Sequence, residues 1–402
     1  MYDLTQCVHH PVVSHDGFQS LAIATHRAST IVFDSAIAYA DRHQQGPQGY
    51  SYGLYGTPTS RTLEAQLTLL HGGAGTVLLP SGQAAIVGIM LSVLRPGDRV
   101  LIPSSVYPPV LAHCQNYLSE FGIEHAVYDP LCGSGIETML DHRTKLVWVE
   151  SPGSTSLEVQ DLPAIAAAAH RAGALVGCDN TWASPLLCKP LALGADFVVE
   201  ALTKYAGGHS DVLLGSVTVG EEEHDTRLRA WLRTMGIGVS PDDCALVLRG
   251  IETMGVRLAH IGRKATDIAR TLTQSTAVEE VLHPALPHHP GHSFFKRDFK
   301  GASGLFSVEL KPQVIPLLDE ALDGLKCFAI GASWGGTRSL LAPITLTTQE
   351  QGSGPRSRTL LRISIGLEDP DDIWDDLNSI FWRLEQVFKL TASPKTSANE
   401  RN

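Results

Sequence analysis

The stretch LVGCDNTWASPLLCKPLALGADFVVEALTK, residues 175–204, decides how the chain folds. It contains two short, uninterrupted apolar runs, 175–178 and 197–200, and each ends beside an acid, Asp179 or Glu200. Runs of this length without polar alternation suit strands covered on both faces. Working outward, similar runs recur at 76–79, 100–102, 125–128, 146–150 and 213–219, with helix-period segments between them. This alternation predicts an α/β fold with a mainly parallel, seven-stranded sheet. An amphipathic helix is expected just before it, over 61–71.

The pattern changes near residue 241. A long helix is expected over 244–272, a strand over 304–310 and a final helix over 371–388. Residues 241–388 therefore read as a smaller C-terminal α+β domain behind an α/β domain at 61–240. Residues 1–60 read as an N-terminal arm, with one short helix over 35–42 and a glycine- and tyrosine-rich loop over 46–60. The polar residues 389–402 read as a disordered tail.

A chain of 402 residues buries a large core and commonly divides in two. Its 43% hydrophobic and 18% charged residues are those of an ordinary globular protein. The net charge of −11 argues against nucleic acid or an anionic membrane as a main partner, while leaving room for a small anionic ligand. Seven cysteines (7, 114, 132, 178, 188, 244 and 327) are scattered, with no Cys-x-x-Cys pair. That usage fits reduced thiols in a cytoplasmic protein better than disulfides or a zinc site, and no metal is expected. The start MYDLTQCVHHP lacks a signal-peptide pattern, and no apolar run reaches the roughly 18 residues of a membrane span.

Residues able to do chemistry gather after the predicted strands, at the edge where open α/β sheets hold ligands. Asp179 ends one run, and as a lone aspartate it suits a helix cap or turn equally well. Lys204 follows another run and precedes Gly207 and Gly208, an unusual setting for a solvated surface lysine; Thr203 beside it carries a hydroxyl. Gly82 and Gln83, after Ser81, open a helix and offer N–H groups to a phosphate, although a plain strand-to-helix turn also explains the glycine. Tyr107 is either a stacking ring or a partly buried aromatic. Arg362 lies inside the apolar segment Leu360-Leu-Arg-Ile-Ser-Ile, where a charge needs a partner, either a substrate carboxylate or an internal acid.

A pyridoxal 5'-phosphate (PLP) site needs a lysine for the aldehyde, an acid for the pyridine nitrogen, N–H donors for phosphate and a cation for the substrate carboxylate. In order along the chain, Tyr52-Gly-Leu-Tyr-Gly-Thr-Pro-Thr59, residues 81–85, Glu150-Ser-Pro-Gly-Ser154, Asp179-Asn-Thr-Trp182, Thr203-Lys-Tyr205, Gly208-His-Ser-Asp211, Ser333-Trp-Gly-Gly336 and Arg362 resemble the PLP-dependent cysteine/methionine-metabolism (trans-sulfuration) family. The resemblance implies fold type I of the PLP-dependent transferases and a homotetramer built from dimers with shared active sites. It implies Lys204 as Schiff-base lysine and acid/base, Asp179 at the pyridine nitrogen, and Tyr107 on the ring. Gly82, Gln83 and Thr203 would bind phosphate, with Thr181 also on the cofactor. Arg362, Ser333 and Trp334 would bind substrate, and Tyr52 would reach the neighbouring subunit's site.

Within that family, Ser151-Pro-Gly-Ser154, Ala332 and Trp334 look like bacterial cystathionine β-lyase. The implied reaction is β-elimination, giving pyruvate, ammonia and a thiol, which is homocysteine from cystathionine. A γ-replacement or γ-elimination enzyme, a lyase for another cysteine conjugate, and a PLP-binding scaffold without turnover stay open. Two departures stand out: Leu54 where the family usually has arginine, and Arg338, an extra cation expected near the pocket.

Overall fold

The computed structural model describes residues 16–46, 49–350 and 354–392. Seven strands form the main sheet: β1 (Gly75–Leu79), β2 (Arg99–Pro103), β3 (Glu124–Tyr128), β4 (Thr144–Glu150), β5 (Leu175–Asp179), β6 (Phe197–Glu200) and β7 (Gly215–Val219). Their order is β1-β7-β6-β5-β4-β2-β3. β2 to β6 are mutually parallel, and β7 runs antiparallel between β1 and β6. All seven apolar runs in the sequence are strands. The last begins at Gly215 rather than at residue 213, because the backbone of Leu214 is tied instead to the Thr203 hydroxyl.

Both faces are covered except along the edge strand β3, which explains why the other strands lack polar alternation. Along β4, Leu146 and Trp148 face a layer built from Ile86 and Ile89, Val110, and Leu228. These lie on α2 (Gly82–Val93), α3 (Pro108–Asn116) and α5 (Glu222–Met235), which follow α1 (Pro58–His71) in the chain. Val147 and Val149 face the other way, against Ile165 and Ala169 of α4 (Leu162–Arg171). α1 starts at Pro58, earlier than the apolar period suggests. At its start the Ser60 hydroxyl accepts the Thr57 N–H (2.9 Å), and proline is pre-set for a first helical turn.

α6 (Pro241–Leu272) has 32 residues and so spans about 48 Å. Its first half packs Val247, Ile251 and Met254 against Leu63 and Tyr205. Its second half carries Ala265 and Ile268 into the core of a second sheet. Gly250 lets the helix approach closely: a Cβ there would lie 2.3 Å from the carbonyl oxygens of Ala206 and Gly207. The loop just after Lys204 therefore rests on α6.

The second sheet has five strands: β8 (Val278–Leu282), β9 (Leu305–Leu310), β10 (Ala329–Ile330), β11 (Leu340–Glu350) and β12 (Gly354–Ser364). Their order is β10-β11-β12-β9-β8, antiparallel except between β10 and β11. It packs on α7 (Pro370–Ala392) through Ile373, Leu377, Ile380 and Leu384. The Trp182 indole, just past β5, donates to the Leu305 carbonyl (3.0 Å) and joins the two sheets beside the strand ends.

The expected arm helix shrinks to Ala36–Ala40 followed by a 3₁₀ turn, Asp41–Gln44. α7 continues four residues beyond the expected end, to Ala392. The remainder of the expected tail, 393–402, lies outside the described residues, as do residues 1–15 with Cys7. Among the described residues no helix is long and apolar enough to cross a membrane.

Candidate active site

The C-terminal ends of β4, β5 and β6 bring three acids side by side: Glu150, Asp179 and Glu200. Glu150 and Asp179 are register partners across the ladder. Glu200 is buried and paired with His71 Nε2 (3.2 Å). Asp179 Oδ1 accepts the Thr181 N–H (2.9 Å), and Thr181 Oγ1 accepts the Ala201 N–H (2.9 Å), which ties the end of β5 to the loop after β6. Burial lifts the Asp179 carboxyl above the usual aspartate range. The Thr181 hydrogen bonds resist this, Glu200 adds to it and Lys204 opposes it. Such an acid favours a buried cation as its neighbour.

Lys204 sits in that loop. Its Nζ donates to Ser333 Oγ (2.7 Å) and lies 5.2 Å from the centre of the Trp334 ring, which itself packs on Tyr205. Burial, and next the nearby Arg362 guanidinium, lower the amine to about 8, with Asp179 pulling the other way. A lysine in this state is a nucleophile and base close to neutral pH. Gly335 packs against the Lys204 backbone, where an added Cβ would come within 3.3 Å.

Arg362, on β12, donates through Nη2 to the carbonyls of Ala332 (2.5 Å) and Ser333 (3.4 Å). No carboxylate pairs with it among the described residues, so the internal salt bridge left open by the sequence is not formed. Its remaining donors face a cleft of about 210 Å³. Gly82, Gln83, Tyr107, Asp179, Thr181, Thr203, Lys204, Trp334 and Arg362 all line that cleft, and Ser333 reaches it through Lys204.

The N-terminus of α2 forms one wall. Ser81 Oγ caps it by accepting the Ala84 N–H (3.1 Å). Gly82 is needed there because a Cβ would lie 2.6 Å from Ala201 Cβ. The Gln83 amide donates to the Pro109 carbonyl (3.2 Å), while its buried Oε1 has no partner. Thr203 is more committed than expected: Oγ1 donates to the Leu214 carbonyl (3.2 Å) and accepts the Leu214 N–H (3.1 Å).

Three residues stand elsewhere or do something the sequence did not indicate. Tyr52 is not on this cleft; it is half exposed, edge-on to Tyr55 at 6.0 Å, and Leu54 beside it packs at Gly238. Arg338 is also absent from the cleft wall. Its Nε points to the Cys327 carbonyl (3.4 Å), so the extra cation expected near the pocket faces away from it. Glu150, which the sequence does not single out, lines the cleft and accepts the Tyr107 N–H at 2.7 Å. Its position at the end of the run 146–150, matching Asp179 after 175–178, was the available signal.

The site suits PLP. A depressed lysine faces a buried acid, a capped helix N-terminus abuts them with no room for a Cβ, and a tyrosine ring stands at the wall. A profile of the family described as Cys/Met metabolism PLP-dependent enzyme matches residues 4–381. A Rhizobium johnstonii relative is 44% identical over 88% of this chain and 89% of its own. Cystathionine β-lyase MetC of Escherichia coli is 40% identical over 89% of this chain and 92% of its own. A crystal structure of cystathionine γ-synthase from Xanthomonas oryzae pv. oryzae superposes with a TM-score of 0.83 at 30% identity, covering 92% of this chain and 95% of that one. The chain belongs to the PLP-dependent enzymes of cysteine and methionine metabolism.

Proposed function

We propose that this enzyme is a carbon–sulfur β-lyase that splits thioethers of the cystathionine type into pyruvate, ammonia and a thiol. The observation that carries this reading is one cleft lined by Lys204, whose Nζ meets Ser333 Oγ at 2.7 Å, by Arg362, which no carboxylate pairs among the described residues, and by Ala332 and Trp334.

Lys204 Nζ would hold PLP, with Asp179 for the pyridine nitrogen and Thr181 keeping that carboxyl in place. Gly82 and Gln83 would take the phosphate at the N-terminus of α2. Thr203 would join them only by turning its hydroxyl away from Leu214. Tyr107 would cover the ring. When bound, PLP supplies an electron sink that makes the substrate's Cα proton removable. Arg362 grips the α-carboxylate and fixes the Cα–H bond toward Lys204. Lys204 Nζ, held by the Ser333 hydroxyl (2.7 Å), is the base placed to take the Cα proton. The Cβ–S bond then breaks, its electron pair leaves with sulfur, and Nζ returns the proton to the thiolate. Trp334 walls this corner and keeps water from the sulfur. Hydrolysis completes the release of pyruvate and ammonia; from cystathionine the thiol is homocysteine.

The same reading divides the chain into an arm (1–60), a PLP-binding domain (61–240) and a C-terminal domain (241–388). It makes the enzyme a homotetramer of dimers, with Tyr52 serving a neighbour's cleft. The exposure of Phe18, Leu21, Val32 and Ile37 along the arm supports a second copy as its cover. A cytoplasmic location rests on the six free thiols among the described residues.

Product analysis on cystathionine, cystine, cysteine, methionine and O-acylated homoserines tests the function. Pyruvate from cystathionine, with 2-oxobutanoate a minor product, is expected. Predominant 2-oxobutanoate, or turnover of the O-acylated homoserines alone, overturns the β-lyase reading.

A further inference from the structure

Glu150 has no part in the chemistry above, yet it occupies the middle of the site. It is buried at the end of β4, beside Asp179 in the ladder, and its Oε2 accepts the Tyr107 N–H at 2.7 Å. Tyr107 is the N-cap residue of α3 and cannot cap its own helix with a side-chain acceptor. The two residues following it are prolines, which bring no N–H to that turn. The N-cap itself is therefore tied to the neighbouring strand β4, through the Glu150 carboxyl, while the Gln83 amide holds the turn at the Pro109 carbonyl.

The site is tightly built around this contact. Burial, and then the neighbouring Asp179, push the Glu150 carboxyl well above the usual glutamate range, while the Tyr107 N–H and the Ser154 side chain oppose the rise. On the far side of Asp179, Glu200 is matched by His71. Glu150 has no such cation: its partners are a main-chain N–H and a hydroxyl. Its position is also held from behind. The Gln160 side-chain amide donates through Nε2 to the Glu150 backbone carbonyl (2.9 Å) and accepts the Tyr128 hydroxyl at Oε1 (2.7 Å). These contacts fix an acceptor at the height of Asp179 and aim it at one particular backbone group.

We propose that Glu150 is a positioning residue of the cofactor site: by accepting the Tyr107 N–H it holds the first turn of α3, and with it the Tyr107 ring, at the level of Asp179. The residue acts as a hydrogen-bond acceptor rather than as a charge, because a full negative charge beside Asp179 is unfavourable at this depth. This inference rests on the reading of Tyr107 as the residue that covers PLP.

The test is a PLP titration of resolved apo-protein for Glu150→Ala, Glu150→Gln and Tyr107→Ala, reading the dissociation constant and the visible circular dichroism per bound PLP. Removing the acceptor in Glu150→Ala is expected to weaken PLP about tenfold, the scale of one lost buried hydrogen bond, and to reduce the dichroism. Glu150→Gln keeps an acceptor without charge and is expected to recover most of both signals. If Glu150→Ala does not fold, Glu150→Met fills the space without an acceptor and takes its place. Wild-type affinity and dichroism in the variant lacking the acceptor, with Tyr107→Ala impaired, overturn the role of Glu150 alone. Equal impairment of Glu150→Gln and Glu150→Ala also overturns it, since charge would then be what matters. A Tyr107→Ala protein that binds PLP normally removes the reading of Tyr107 on which the inference stands.

Discussion

Arg362 and Lys204 are two cations facing one cleft, and each raises the cost of the other. Arg362 is among the causes that lower the Lys204 amine, and burial pulls the Arg362 guanidinium below its usual value as well. Backbone carbonyls satisfy part of the guanidinium and leave its charge unmatched. On the proposed function, a substrate carboxylate would relieve that imbalance and concentrate binding energy where Cα must be oriented. Replacing Arg362 with alanine is expected to lower kcat/KM by about 100-fold or more, while PLP content and folding stay near wild type. Steady-state kinetics beside the absorbance of bound PLP checks this. Loss of PLP with unchanged substrate affinity would make Arg362 a structural charge. At this scale, residue types and their places after strands were legible in the sequence. Hydrogen-bond partners were not: Glu150 meets a main-chain N–H 43 residues away, and side-chain patterns carry no trace of such a contact.

Elements were legible in proportion to how uniformly they are buried. Six strands of the main sheet have both faces covered, and apolar runs report that directly, while the edge strand β3 leaves Glu124 and Val127 exposed. Of the second sheet only β9 is announced by the sequence: Glu279 and Glu280 interrupt β8, Pro343 and several threonines interrupt β11, and β10 and β12 also lie outside the expected strands. The pairing of β8 with β9 and of β11 with β12 is set by long antiparallel ladders, a tertiary constraint rather than a local one. α6 shows the same division. Its period announced a helix, but nothing local announced that Gly250 supports the loop carrying Lys204. Gly250→Ala places a methyl group against two carbonyl oxygens and is expected to destabilise the protein by about 1–3 kcal/mol. It should also loosen PLP, because Ala206 and Gly207 lie just beyond Lys204. Thermal unfolding with and without added PLP measures both effects. An unchanged midpoint and unchanged PLP retention would show that α6 yields without moving the loop.

Across the whole molecule, one sheet supplies Asp179, Glu150 and the Lys204 loop, and the other supplies Arg362, with Ser333 and Trp334 in the connection before β11. The Trp182–Leu305 hydrogen bond and the shared length of α6 hold the two halves in register at the cleft. The cofactor attachment and the proton transfers proposed for the enzyme use one nitrogen, Lys204 Nζ, at the point where the halves meet. The most direct test is borohydride reduction of the PLP-loaded protein followed by peptide mapping. The account predicts that a yellow protein is bleached and that a single reduced pyridoxyl adduct is found on Lys204. An adduct on any other lysine, or a protein that takes up PLP without forming one, would contradict it.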